Sequence, residues 1–184
     1  MKSKPQRDSK DSTKEHKGKI IIMNEFVTRI TADPKDFEVC ARMMEETDPW
    51  ITLGMDYDQC LKAFEGNWRE VYILESENEI AGFVILQICG TFSGYIQTIC
   101  IGKAYRGMGF GRKLLKFCED RILKFSPNVF ICVSSFNKGA LKLYLDFGFK
   151  LIGEMDNFVK EGFSELLLRK TVGPRLGYIS RHDL

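Results

Sequence analysis

From Phe26 onward, apolar side chains recur in stretches that switch between the two-residue period of strands and the longer period of helices. Residues 26–30 are aromatic and β-branched, which suits a short strand, and Asp33-Pro34 ends it. Phe37, Cys40, Ala41 and Met44 then repeat at helical spacing, with Asp33 or Asp36 placed to cap. A second helix is expected from near Asp56, carrying Cys60, Leu61 and Phe64 before Gly66. Residues 71–74 and 80–89 read as two strands joined by a tight polar turn around Glu77-Asn78-Glu79, hence an antiparallel hairpin.

Residues 95–101 predict another strand, followed by a segment rich in glycine and basic residues. From Phe110, Leu114, Cys118 and Ile122 recur every four residues, and Leu115 and Leu123 widen the stripe into the buried face of an amphipathic helix. Pro127 lies beyond its end. Residues 129–133 form a continuous apolar run between two helical segments, as expected of a buried strand parallel to its neighbour. Asn137 opens a helix with Ala140, Leu141, Tyr144 and Leu145, which stops at Gly148. Strands at 149–152 and 165–168 complete the order β-α-α-β-β-β-α-β-α-β-β. That is a mixed α/β domain whose parallel portion surrounds residues 95–147.

The length of 184 residues, 44% of them hydrophobic, fits one domain with a substantial core. Its longest apolar runs, such as residues 83–86, fall far short of the ~20 residues of a membrane span. The first nineteen residues hold seven Lys/Arg against three acids and no apolar signal core, leaving 20 basic and 22 acidic residues beyond them. Residues 1–22 are therefore expected to be a disordered, solubilising basic tail, 23–172 the domain, and 173–184 a C-terminal extension; Met23 marks where structured patterning begins. A net charge of +2 is too mild to argue for a nucleic-acid partner. Cys40, Cys60, Cys89, Cys100, Cys118 and Cys132 form no CxxC pair and have no histidine at ligand spacing, so neither a metal site nor a disulfide scaffold is expected. The expectation is a reduced, cytoplasmic chain.

The glycines build the candidate site. Strand, glycine-rich turn and helix is the arrangement in which main-chain N–H groups point at an anion from a helix N-terminus. The turn is Tyr105-Arg106-Gly107-Met108-Gly109-Phe110-Gly111-Arg112, where glycine permits positive φ and close approach of a phosphate, and Arg106 and Arg112 add forked cationic donors. No GxxxxGK[ST] string occurs, and a GxGxxG reading fails at Arg112 from Gly107 and at Leu114 from Gly109. ATP of the P-loop type and a dinucleotide are thus disfavoured as the phosphate ligand.

Arg106-x-x-Gly109-x-Gly111 after a strand, followed by Asn137-x-x-Ala140 and Leu143-Tyr144-x-x-Phe147-Gly148-Phe149, resembles the GNAT family of N-acetyltransferases. The resemblance spans roughly residues 26–170. It implies a sheet splayed open between the fourth and fifth strands and flanked by helices, with acetyl-CoA in the gap and no metal. It places the diphosphate on the amides of residues 107–112, and main-chain groups of Ile99, Cys100 and Ile101 along the pantetheine and thioester. Asn137 would bond the pantetheine and Tyr144 would be the general acid. Asn137 is also a good N-cap, Tyr144 a plausible core aromatic and Cys100 a plausible packing residue, so each carries a structural reading beside the functional one.

Many members of that family carry a glutamate on the strand leading to the glycine turn, where this chain has Gln97, which cannot act as a base. The duty then falls to Glu45, Glu46, Asp48 or Asp56, directly or through water, or to solvent. Those acids lie with Trp50 and Tyr57 in the helix-helix region that, in the family, walls the acceptor site. Acids beside aromatics suit a cationic amine, although an ordinary solvated helix end has the same composition. Residues 156–162 are expected to form the opposite rim. The acceptor implied is a small cationic amine, an amino sugar or a protein amino group, with no nucleic acid or membrane partner and with homodimerisation left open. A non-catalytic acyl-CoA sensor and a phosphate-binding domain of unrelated chemistry are the rival readings.

Overall fold

The computed structural model describes residues 26–180; the basic tail at 1–22, Met23, both histidines (His16 and His182) and the final four residues lie outside the described residues. One seven-stranded sheet runs in the order β1-β2-β3-β4-β5-β7-β6. Its strands are β1 (Phe26–Thr31), β2 (Arg69–Ser76), β3 (Glu79–Gln87), β4 (Tyr95–Ile101), β5 (Asn128–Ser134), β6 (Lys150–Asp156) and β7 (Ser164–Thr171). The helices are α1 (Pro34–Glu45), α2 (Trp50–Leu53), α3 (Tyr57–Leu61), α4 (Phe110–Ile122) and α5 (Lys138–Asp146).

Local chemistry sets these boundaries. Asp33 caps α1 by accepting from Lys35 N at 2.9 Å, with Pro34 at the first helical position. Asp36 instead takes a two-pronged bond from Arg29 at 2.7 and 3.0 Å and tethers α1 to β1, and Arg29 holds its carboxyl below the usual range. Asp56 and Gln59 form a capping box at α3. The hairpin turn is only Glu77-Asn78, at φ 55° and 66°, the conformation of a two-residue turn that matches strand twist; Glu79 already belongs to β3.

Helices cover both faces of the sheet. On β3, Phe83 and Ile85 pack with Cys40, Ala41 and Met44 of α1, while Val84 and Leu86 pack with Leu114, Leu115 and Cys118 of α4. Strict alternation of large apolar residues thus supplies two cores from one strand.

The sheet is splayed at its centre. β4 and β5 are parallel but pair only at Tyr95–Phe130 and Ile96–Ile131, so residues 97–101 have no partner on β5. β5 is parallel to β4 only there. Along its full length it pairs antiparallel with β7, from Asn128–Thr171 to Ser134–Glu165. The parallel pairing with β4 is the one expected from the apolar run, and the antiparallel partner β7 on the other side is a feature that run does not show. Residues 173–180 of the extension touch their own chain: Tyr178 donates to Leu123 O at 2.6 Å and Arg175 reaches Thr91 O at 3.4 Å.

Candidate functional site

β4 carries an irregularity where the splay begins. Ile85 lies opposite Thr98 but Leu86 lies opposite Ile96, so Gln97 is an extra residue, a β-bulge. The bulge re-aims the strand, so that Gln97 and Thr98 both reach a cavity on the α1–α3 side. Gln97 Nε2 donates to Ala63 O at 3.3 Å, which uses its amide as a tether.

Beyond the bulge, Ile99, Cys100 and Ile101 line a cleft of about 590 Å³ between the unpaired end of β4 and α5. The glycine turn forms its floor. Gly107 and Gly109 adopt φ +77° and +81°, and a Cβ at either position would meet nothing within 4 Å. Those positions need glycine for their backbone, and the space above them is open to a ligand. Gly109 is the N-cap of α4 and supplies no side-chain cap, and no acidic residue stands in the first turn. The first-turn amides therefore face the cleft with the positive end of a thirteen-residue helix behind them. Gly111 is tight for another reason: its Cβ would lie 3.3 Å from Leu143 Cδ2. A floor of open glycines under uncapped amides fits a diphosphate.

The arginines divide their work. Arg106 donates Nε to Ile101 O at 3.0 Å and Nη2 to Thr47 Oγ1 at 3.1 Å, tying the end of β4 to the buried residue after α1. Its charge borders the cleft while its donors serve the scaffold. Arg112 lies over the Phe147 ring at 5.5 Å and borders both the cleft and a basic recess with Lys113, Lys116 and Lys170. Met108 is exposed and lines neither.

Asn137 caps α5, its Oδ1 accepting from Ala140 N at 3.1 Å, and it also lines the cleft. The N-cap reading is what the side chain's hydrogen bond shows, at a position that also borders the cleft. Tyr144 is only 6% exposed, sits in the core with Phe149, and is absent from the cleft lining. Burial pushes its phenol well above the usual range. Cys100 borders the cleft, but burial pushes its thiol up to about 12, so at neutral pH it is not a thiolate nucleophile.

A second cavity of about 320 Å³ continues from the cleft, sharing Pro49, Trp50, Ile99 and Asn137 with it. Trp50 stands at the junction, on α2. Phe158 and Val159 from the 156–162 segment form the far rim, and Lys160 bridges that rim to Thr52 O at 3.4 Å. Of the acids expected there, Asp48 lines the cleft while accepting from Thr52 Oγ1 at 2.6 Å, and Asp56 caps α3. Glu45 and Glu46 line neither cavity. Sequence reasoning missed Thr47, Ser134 and Glu165. Of these, Glu165 left a trace, as the acid at the head of the apolar run Leu166-Leu167-Leu168.

A family model described as the acetyltransferase (GNAT) family matches residues 34–149, more than half of the chain. An uncharacterized protein of Mycobacterium leprae is 26% identical over 140 residues, covering 71% of this chain; the chain spans only 36% of that relative's length. Among solved structures, the ribosomal-protein-S18-alanine N-acetyltransferase of Escherichia coli superposes with a TM-score of 0.67 at 15% identity, covering 84% of this chain and 99% of that one. A GNAT family acetyltransferase of Elizabethkingia anophelis with acetyl-CoA bound gives 0.57 at 24% identity, covering 80% and 98%. An IAA acetyltransferase of Bacillus cereus gives 0.60 at 16% identity, covering 80% and 100%. These structural likenesses establish a shared fold.

Proposed function

The chain belongs to the GNAT family of acetyltransferases, and from that premise we propose that it moves an acetyl group from acetyl-CoA directly to a primary amine of a small cationic molecule or of a protein. The observation that carries this reading is the cleft itself: uncapped first-turn amides above two open, positive-φ glycines, set where β4 and β5 part. The diphosphate would rest on the amides of Phe110, Gly111 and Arg112. The pantetheine would run along the unpaired edge of Ile99, Cys100 and Ile101, past Asn137. The basic recess at Lys113 and Lys116 suits a further phosphate of the same ligand. A relative of the same fold, from Elizabethkingia anophelis, holds acetyl-CoA.

The chemistry sets two demands. An alkylamine of pKa ~10.4 is mostly protonated at neutral pH, and freeing its lone pair costs about 4–5 kcal/mol at ~1.36 kcal/mol per unit. A leaving thiolate also needs a proton. A phenol of pKa ~10 is a weaker acid than a thiol of pKa ~8.5, a mismatch of about 2 kcal/mol. Tyr144 is the donor in this reading. Burial keeps it protonated but raises its own pKa as it would raise a thiolate's, so the mismatch persists and the donor role rests on the family spacing of Leu143-Tyr144-x-x-Phe147-Gly148-Phe149.

Binding and turnover separate this reading from its rivals. Acetyl-CoA and CoA are expected to raise the melting temperature while ATP leaves it unchanged, and spermidine, kanamycin or a peptide with a free amino terminus is expected to release free CoA. Stabilisation by CoA without release by any amine would identify a CoA-binding module, and no stabilisation by CoA would overturn the reading.

A further inference from the structure

The geometry points to Glu165 as the general base that takes the proton from the acceptor amine, an inference that rests on the N-acetyltransferase reading above. Gln97 stands where an acid on β4 would serve, but it is an amide committed to Ala63 O. Glu165 comes to the same cavity from the opposite strand. It lies opposite Ser134 at the end of the β5–β7 pair that faces the β4–β5 splay, and its carboxylate accepts the Ser134 hydroxyl. Glu165, Ser134, Gln97 and Thr98 all line the cavity that opens through Trp50 and Asn137 into the cleft.

Glu165 as a residue is 7% exposed, and no lysine or arginine among the described residues forms an ion pair with its carboxylate. Its titratable neighbours are Tyr95 of β4 and Cys132 of β5, with Met155 opposite on β6. A buried carboxylate without a cation is costly unless a ligand supplies one. An alkylammonium entering the cavity does so, and it carries the proton that must leave before attack. Desolvation also pushes the Glu165 carboxyl above its ordinary range, towards the pKa that proton abstraction near neutrality requires. The acids of the α1–α3 region are solvated or spent on caps, so Glu165 is the buried acid in this cavity.

The step balances. Glu165 accepts one proton from the ammonium. The freed lone pair forms the N–C bond to the acetyl carbonyl as the C–S bond breaks. The nitrogen loses its second proton to the departing sulfur, by way of the acid, and Glu165 returns its own proton to solvent.

Glu165→Gln keeps an acceptor for Ser134 and tests this directly, with CoA release from spermidine, kanamycin and an amino-terminal peptide as the assay. Expected is a fall in kcat of about 100-fold, a rise in KM for the amine as its ammonium loses the carboxylate, loss of the acidic limb of the pH–rate profile, and unchanged affinity for acetyl-CoA. Melting temperature gives a second readout. A raised folded-state pKa means stability is lost as pH rises through it, so Glu165→Gln should melt above wild type at pH 8 and converge with it near pH 4. A wild type that turns over beside a variant with full kcat and the same pH profile overturns the base and leaves the acetyltransferase reading standing. A variant that raises KM alone makes Glu165 an amine anchor and likewise overturns the base, as does one melting below wild type at pH 8. A wild type that acetylates none of the amines overturns both readings.

Discussion

Gly109→Val is expected to weaken acetyl-CoA binding by at least ~100-fold in calorimetry. At φ +81° a β-branched residue is strained, and its side chain would rise into the open space above the turn. That space is where the diphosphate must approach. Each charge-assisted N–H bond is worth about 1.5–3 kcal/mol, so losing two removes at least about 3 kcal/mol, or ~100-fold at 1.4 kcal/mol per decade. The added Cβ touches no protein atom within 4 Å, so the fold itself suffers only backbone strain, of about 1–2 kcal/mol. Met108→Ala, one residue away and outside the cleft, should bind as wild type does. Unaltered affinity in a folded Gly109→Val variant would contradict the cradle.

Tyr144→Phe is expected to lower kcat by about 100-fold with acetyl-CoA affinity unchanged, the pattern of a proton donor used only in the chemical step. The rival reading predicts something different. If the ring merely fills the core beside Phe149, deleting a hydroxyl whose titration is governed by burial rather than by a hydrogen bond leaves turnover intact and does not lower the melting temperature. Steady-state kinetics and a thermal melt on one variant therefore decide between acid and packing residue.

Legibility in the sequence followed the length and regularity of each pattern. β4 was readable to the residue, and α4 from its first residue, because an aromatic and β-branched run and a four-residue stripe persisted over seven and thirteen positions. α2 has four residues, too few to show any period, and it is the element that sets Trp50 at the junction of the two cavities. The apolar run of β5 between two helices announced burial and the parallel pairing with β4, but not the second, antiparallel partner β7. Sheet order had to come from long-range pairing, as with β7 inserted between β5 and β6.

The site divides along similar lines. The glycine turn was legible because its chemistry is local: glycines, a helix start and flanking arginines within eight residues. Its Arg106 was not, because the bond to Thr47 spans 59 positions. Nor was the bulge at Gln97, which depends on how β3 and β4 align. Glu165 belongs to the same class. Alone at the head of an apolar strand it reads as an edge residue, and only the pairing with Ser134 and the splay beside it place its carboxylate in a cavity.

The most direct test of the central claim is a titration of the ¹⁵N-labelled protein with CoA, followed through its backbone amide resonances. The cradle predicts that the amides of Phe110, Gly111 and Arg112 shift most and saturate together with the melting-temperature increase, as donors that gain a phosphate oxygen do. Saturable CoA binding with those three amides unmoved, and the largest shifts elsewhere, would contradict it.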